Sequence, residues 1–212
     1  VIRFPVGCDG IPQKTADVVL GQVNFSSRNE NMSNATDRGW MRYPCAVRVD
    51  KGGNVYVLDF PVSYEYAPRV LIFRPDGVDG TGQWTYTNGK AAQQSITQYV
   101  YKPYGLEFDP TISYPKVGLW VSNLYKIVHY DVEMQTTTIT AVANKVLLRD
   151  VPTRTNTAMD FVCSSAGQTF APDRTNGLRY DCMTADVLGG IGVDSEGSVY
   201  LTSKNNNDLW RF

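Results

Sequence analysis

Three side chains with oxygen donors, Asp59, Asn123 and Ser203, close apolar runs of the same kind at 55–59, 119–123 and 199–203. Oxygens set at equivalent strand ends can hold a hard divalent cation such as calcium, which favours carboxylate and carbonyl ligands. The position equally suits a side-chain hydrogen bond to the adjoining turn, the commoner use of Asp and Asn there. The three are therefore weak metal candidates. A second oxygen-rich run, Asp76-Gly77-Val78-Asp79-Gly80-Thr81-Gly82, lacks the closing acidic residue of an EF-hand loop and reads as a turn.

Other chemistry is sparsely represented. Zinc catalysis built on converging imidazoles needs several histidines, and the chain has only His129, on a predicted outer strand where a half-exposed ring with satisfied nitrogens is expected. No Ser nucleophile elbow, paired catalytic carboxylates, Walker loop or GxGxxG run is present, so no catalytic or cofactor-binding residue is assigned. Cys8, Cys45, Cys163 and Cys182 show no CxxC spacing, which removes zinc ribbons, thioredoxin-like motifs and c-type haem attachment. Cys163 and Cys182 bracket a polar stretch, and closing that loop would contribute about 3 kcal/mol in the chain-entropy model. A Cys163–Cys182 disulfide is expected, with Cys8 and Cys45 as the remaining pair or as two buried thiols. Asn24, Asn31 and Asn34 begin N-glycosylation sequons in a polar stretch without strand pattern. Tyr64-Glu65-Tyr66 and Tyr99, Tyr101 and Tyr104 lie near predicted loops, where aromatic rings can stack on sugars or anchor a protein partner as well as pack on blade edges.

The elements that must position these residues are short strands. With 20 basic and 21 acidic residues, the chain carries a formal charge of -1, which gives no reason to expect nucleic acid as a partner. No run of apolar residues has the length of a membrane-spanning helix, so no membrane insertion is expected. Tyrosines number 13, and apolar residues come in bursts such as Val55-Tyr56-Val57-Leu58, which favours strands.

Those bursts repeat. Ala46-Val47-Arg48-Val49-Asp50, Val55-Tyr56-Val57-Leu58-Asp59 and Arg69-Val70-Leu71-Ile72-Phe73 form one three-strand unit. Gly105-Leu106-Glu107-Phe108-Asp109, Leu119-Trp120-Val121-Ser122-Asn123 and Lys126-Ile127-Val128-His129-Tyr130 form a second. Gly190-Ile191-Gly192-Val193-Asp194, Val199-Tyr200-Leu201-Thr202-Ser203 and Asp208-Leu209-Trp210-Arg211-Phe212 form a third. The turns Asp50-Lys51-Gly52-Gly53-Asn54 and Asp194-Ser195-Glu196-Gly197-Ser198 carry the glycine and the Asx chemistry of tight hairpins, so neighbouring strands should be antiparallel. Repeats of this length indicate stacked supersecondary units that cover one another's faces.

The run from Pro44 to Asp59, Pro-Cys-Ala-Val-Arg-Val-Asp-Lys-Gly-Gly-Asn-Val-Tyr-Val-Leu-Asp, resembles the NHL repeat. Ala16-Asp17-Val18-Val19-Leu20-Gly21-Gln22-Val23-Asn24-Phe25 is similar to a segment common between blades of extracellular bacterial NHL proteins. The second unit departs from the pattern with 110–116 in place of a short turn and Asn123 in place of Asp, and the third carries Ser203 there. The resemblance implies an all-β fold, a β-propeller of NHL type with about three blades visible in 1–212 as part of a six-bladed ring. Blade cores are expected near 43–77, 102–135 and 189–212, with long inter-blade loops at 78–101 and 136–188. Val1-Ile2-Arg3-Phe4-Pro5 is similar to the stretch ending Phe73-Arg74-Pro75, so 1–4 is expected to complete a sheet outside its own blade, or to border an open edge, rather than to pair with 209–212. These expectations treat the chain as a fragment of a longer protein.

Propellers of this kind include a zinc-dependent peptide-amidating lyase, metal-dependent lactonases and non-catalytic platforms, so the fold does not choose the function. The residues favour a non-catalytic binding or scaffolding module, secreted or at the cell surface, that offers propeller-face loops to a protein or glycan partner or to a second copy. The alternatives are a metal-dependent hydrolase or lyase with further ligands on blades outside this segment, and a structural subunit of an extracellular assembly. No cofactor is expected, with calcium as the divalent cation to consider.

Overall fold

Apolar alternation broken by Asp-Gly turns builds an all-β chain. The computed structural model describes residues 1–7, 10–27, 38–60, 68–123, 126–149, 179–183, 188–203 and 209–211, and contains no helix among them. Side chains of 146–149, 179–183, 188–189, 203 and 210 lie outside that description. The chain divides into two units, Val1–Thr97 and Gln98–Phe212.

The first unit opens with β1 (Ile2–Arg3) and β2 (Val18–Val19), paired antiparallel as a two-stranded sheet. Residues 1–4 were expected to complete a sheet outside their own blade or to border an open edge. Ile2 faces Val19 and Arg3 faces Val18 in a sheet of two strands, within the same unit. β3 (Pro44–Val49), β4 (Val55–Asp59) and β5 (Arg69–Phe73) are consecutive antiparallel strands, as the turn chemistry predicts. Between β3 and β4, Asp50 Oδ1 accepts the N–H groups of Gly52 and Asn54 at 2.9 and 2.8 Å, and Gly53 takes a φ of 75°. A left-handed φ is cheap for glycine alone, which explains its place in the turn.

A short hairpin follows, β6 (Gly77–Val78) with β7 (Trp84–Thr85). Then β8 (Gln94–Ile96) pairs with β5 and becomes the fourth strand of the sheet, in the order β3-β4-β5-β8. Both β7 and β8 lie in 78–101, which the repeat pattern leaves as an inter-blade loop. β4 and β5 are buried along their whole length, as strands covered on two faces must be. On one face Val55, Val57, Leu71 and Phe73 pack with Val18, Leu20, Met41 and Ala92. Each large apolar side chain buried in this way contributes about 1.5–3 kcal/mol.

The second unit carries β9 (Pro103–Asp109), β10 (Lys116–Asn123), β11 (Lys126–Met134), β12 (Ile139–Arg149) and β13 (Arg179–Met183) in one five-stranded sheet, ordered β13-β12-β11-β10-β9. Its pairs are antiparallel except β12 with β13, which is parallel. β12 and β13 again fall inside a stretch, 136–188, expected as a loop. A bulge between His129 and Tyr130 shifts the β11–β12 register, so that His129 pairs with Lys145 and Tyr130 with Ala143, and Asn144 is the extra residue.

β14 (Leu188–Val193), β15 (Val199–Ser203) and β16 (Leu209–Arg211) complete a three-stranded antiparallel sheet with the turn chemistry of β3–β4. Asp194 Oδ1 accepts the N–H groups of Glu196 and Ser198, and Gly197 has a φ of 85°. The two sheets of this unit meet face to face. Trp120 and Ile127 pack against Val199 and Leu201, with Ile191 and Val193 at the margin. No closed sheet forms among the described residues.

Candidate binding loop

The strand-end residues singled out by the repeat are engaged within the fold. Asp59 is buried, and its Oδ1 accepts the N–H groups of Arg42 at 2.9 Å and Tyr43 at 2.8 Å. Its Oδ2 faces Arg69, 3.2 Å from Nε and 3.1 Å from Nη2. Arg69 Nη2 also donates to the Trp40 carbonyl at 2.7 Å. A buried ion pair is tolerable because each charge meets its opposite and the remaining lone pairs and protons find partners. Such a carboxylate has little left to offer a cation.

Asn123 performs the same task in the second unit without charge. It is fully buried, its Oδ1 accepts the N–H of Tyr101 at 2.7 Å, and its Nδ2 donates to the Val121 carbonyl at 3.3 Å. In this unit the cation that opens the neighbouring strand is Lys126, where the first unit has Arg69. A neutral amide needs no counter-ion, and the Lys126 ammonium instead stands 5.6 Å from the centre of the Tyr99 ring. Ser203 ends β15, with its backbone paired to Leu188 and its side chain outside the described residues.

The run 98–104, which leads into β9, has a distinctive backbone. Tyr99 and Lys102 have φ values of 63° and 43°, in the left-handed region that side-chain-bearing residues rarely adopt. Two buried groups hold the loop: Asn123 takes the Tyr101 N–H, and the Tyr130 hydroxyl donates to the Gln98 carbonyl at 2.5 Å. Burial raises the Tyr130 phenol well above the ordinary tyrosine range, with Tyr99 adding to the shift, so it remains a donor. Outward, Tyr101 and Tyr104 are 45% and 40% exposed, and Lys102 Nζ lies 5.7 Å from the Tyr101 ring centre. The first unit presents a smaller version, an exposed Tyr43 with the Arg42 guanidinium 5.8 Å from its ring centre.

No family model matches this chain, and no curated protein matches it. What the site can do is therefore argued from its chemistry alone. Aromatic faces, lysine ammonium groups and fixed backbone can stack on a sugar ring or hold a peptide.

The remaining sequence candidates fall as follows. Among the described residues no group of three or more His, Cys, Asp or Glu side chains is placed to hold a metal ion. The oxygens of 76–82 serve the turn itself: Asp79 Oδ1 accepts from Thr81 N, Thr81 Oγ1 and Gln83 N, while Asp76 binds Thr87 and pairs with Lys90. Cys45 is a free thiol, exposed on β3 rather than buried, whose Sγ donates to the Leu58 carbonyl at 3.4 Å; Cys8, offered as its partner, lies outside the described residues. The side chain sits at the bulge between Pro44 and Ala46, and partial burial, with help from Asp59, raises its pKa. Cys8, Cys163 and the Cys182 side chain lie outside the described residues, as do Asn31, Asn34 and 64–66. Asn24 Oδ1 accepts the Ser26 N–H and the Ser27 hydroxyl, both at 2.9 Å, so its amide is folded into an Asx turn.

His129 is not half-exposed. It is 4% exposed, because β12 supplies a further strand beyond β11 and makes its strand an inner one. Its ring is not satisfied on both sides either, since Nε2 is buried without a hydrogen-bond partner. Asn123, Tyr130 and Lys126 as supports of the loop were not legible as a set. The only signal was that Asn replaces Asp in the second repeat, which marks a lost charge and hence a lost arginine partner.

Proposed function

We propose that this chain is a non-catalytic binding module on a β-propeller scaffold of NHL type, secreted or displayed at the cell surface, with 98–104 as its contact loop for a glycan or protein partner. The observation that carries the reading is the pair of exposed rings, Tyr101 on a loop held in an unfavourable backbone conformation by buried Asn123 and Tyr130, and Tyr104 beside it at the start of β9. Strain of this kind persists only where surrounding structure over-determines it, and it gathers at ligand sites. Rigid tyrosines give contact area at small entropic cost.

Support for the propeller is the thrice-repeated antiparallel unit with the same Asp-Gly turn in the first and third, and the face-to-face packing of the last two sheets through Trp120 and Leu201. Engagement of Asp59 and Asn123 inside the fold weighs against the metal-dependent hydrolase reading.

The test is binding of the intact chain to an immobilised glycan panel, alongside Tyr101→Ala and Tyr104→Ala variants with wild-type circular dichroism. Loss of an aromatic that stacks on a nucleic-acid base costs about 1–3 kcal/mol, and on that scale each variant should weaken binding roughly five-fold or more. Wild-type affinity in both variants for every ligand found would discard this loop as the contact.

A further inference from the structure

The buried ring of His129 is placed to do more than fill space. It sits on β11, and its cross-strand partner on the same face is Trp120, with ring centroids 4.5 Å apart and planes tilted by 60°. On one side the bulge residue Asn144 of β12 brings Oδ1 to 2.6 Å from Nδ1. On the other, Nε2 reaches over β10 to within 3.4 Å of Asp109 Oδ2, at the end of β9. That reach exists because Gly118 lies beneath it: a Cβ there would stand 2.7 Å from His129 Nε2 and 2.6 Å from Asp109 Cβ. Asp109 Oδ1 is already occupied by the Thr111 N–H and hydroxyl, which leaves Oδ2 for the histidine.

We propose that His129 is a proton-operated clasp joining β9 to β12 across the five-stranded sheet. An imidazolium has a proton on each nitrogen, so it can donate to Asn144 Oδ1 and Asp109 Oδ2 together. The neutral ring has one proton and serves one of them, leaving either the Asp109 carboxylate facing a lone pair or the Asn144 amide forced to turn. The charged groups around the ring are Asp109 from β9, Asp131 on β11 itself with Oδ1 3.8 Å from Nδ1, and Lys145 of β12, whose Nζ lies over the Trp120 ring at 5.8 Å. β10 contributes Gly118 and Trp120 here, and the indole face favours a cation. From the third sheet, the apolar Ile191, Val193, Val199 and Leu201 cover Trp120, and Gly197 of the turn holding Asp194 and Glu196 lies near Asp109 and Thr111. With a proton on each nitrogen the clasp is closed, and with a single proton it is half-open. It is independent of what the 98–104 loop binds.

Because the chain has a single histidine, imidazole signals need no assignment. Ring 15N spectra of the wild-type chain between about pH 5 and 8 should show both nitrogens protonated at the acid end, with the Nε2 proton held in a hydrogen bond that disappears in Asp109→Asn. The difference in urea midpoint between the wild type and His129→Gln should change with pH, because His129→Gln lacks the group that takes up the proton. A ring that keeps a single proton throughout, or a difference between wild type and His129→Gln that does not change with pH, overturns the clasp. The spectra use the wild-type chain, so they decide the matter even where His129→Gln fails to fold.

Discussion

The phenol of Tyr56 donates to Asp50 Oδ2 at 3.1 Å, tying the second residue of β4 back to the turn that precedes it. Tyr200 and Asp194 repeat the bond at 3.0 Å in the third repeat. In both turns the other carboxylate oxygen accepts backbone N–H groups, so one aspartate holds turn and strand together. The second repeat places Trp120 where the tyrosine stands, and there Asp109 turns to His129.

Tyr56→Phe should therefore destabilise the first unit. Hydrogen bonds to charged groups contribute about 1.5–3 kcal/mol, and because Asn54 Nδ2 still serves Asp50 Oδ2, the lower end of that range is expected. Urea denaturation measures it; an unchanged midpoint would mean the hydroxyl contributes nothing to holding the turn.

The Asp59–Arg69 pair should show the asymmetry of buried charges. Asp59→Ala leaves Arg69 uncompensated at 2% side-chain exposure and is expected to cost about 3–5 kcal/mol. Asp59→Asn with Arg69→Met, which imitates the neutral arrangement around Asn123, should cost less than Asp59→Ala alone. A double variant worse than the sum of its parts would refute this account of why the second unit manages without the pair.

A pH effect is expected at Asp17. Its carboxyl is held below the ordinary value of 3.8, first by the hydrogen bond from Arg3, with burial opposing. A depressed folded-state value means stability that is present above pH 3.8 and is lost as pH falls through the lower folded value. Both side chains are about a third exposed, so the effect should be small and reduced by salt. Melting scans in mildly acidic and strongly acidic buffer should show Asp17→Asn losing less on acidification than wild type; parallel losses would remove the pair from the account.

Most of the strand order was legible in sequence, and the reason is local. Asp50 to Asn54 and Asp194 to Ser198 carry turn chemistry that acts within five residues, and the flanking alternation leaves little choice of partner. β8 was missed because Gln94-Ser95-Ile96 has one buried apolar residue and becomes a strand only by pairing with β5. β12 hides for a related reason: Ile139 and Ala143 point inward while Val142 is 62% exposed, and the bulge at Asn144 breaks the alternation. The 98–104 loop depends on Asn123 and Tyr130, which lie 22 and 32 residues from their respective partners, a distance no local pattern encodes.

The last prediction separates two reasons for a glycine. Gly53 has a φ of 75° and a Cβ added there would lie 2.5 Å from the Trp84 ring, whereas at Gly197, with 85° in the equivalent turn, the tightest approach would be Thr111 Cγ2 at 2.9 Å. Backbone strain is common to both, and placing an alanine in that region costs about 1–2 kcal/mol. The neighbours differ. Thr111 ends in a small side chain on a turn, while the Trp84 indole is fixed by β6–β7 pairing through its own backbone and by Arg3, which donates to its carbonyl. Gly53→Ala should therefore be the more damaging of the two, and Trp84→Ala should recover part of the loss at 53 but none at 197, which a double-mutant cycle reads as coupling. Equal losses at 53 and 197, with no coupling to Trp84, would show that the positive φ alone demands the glycine and that the indole can move aside.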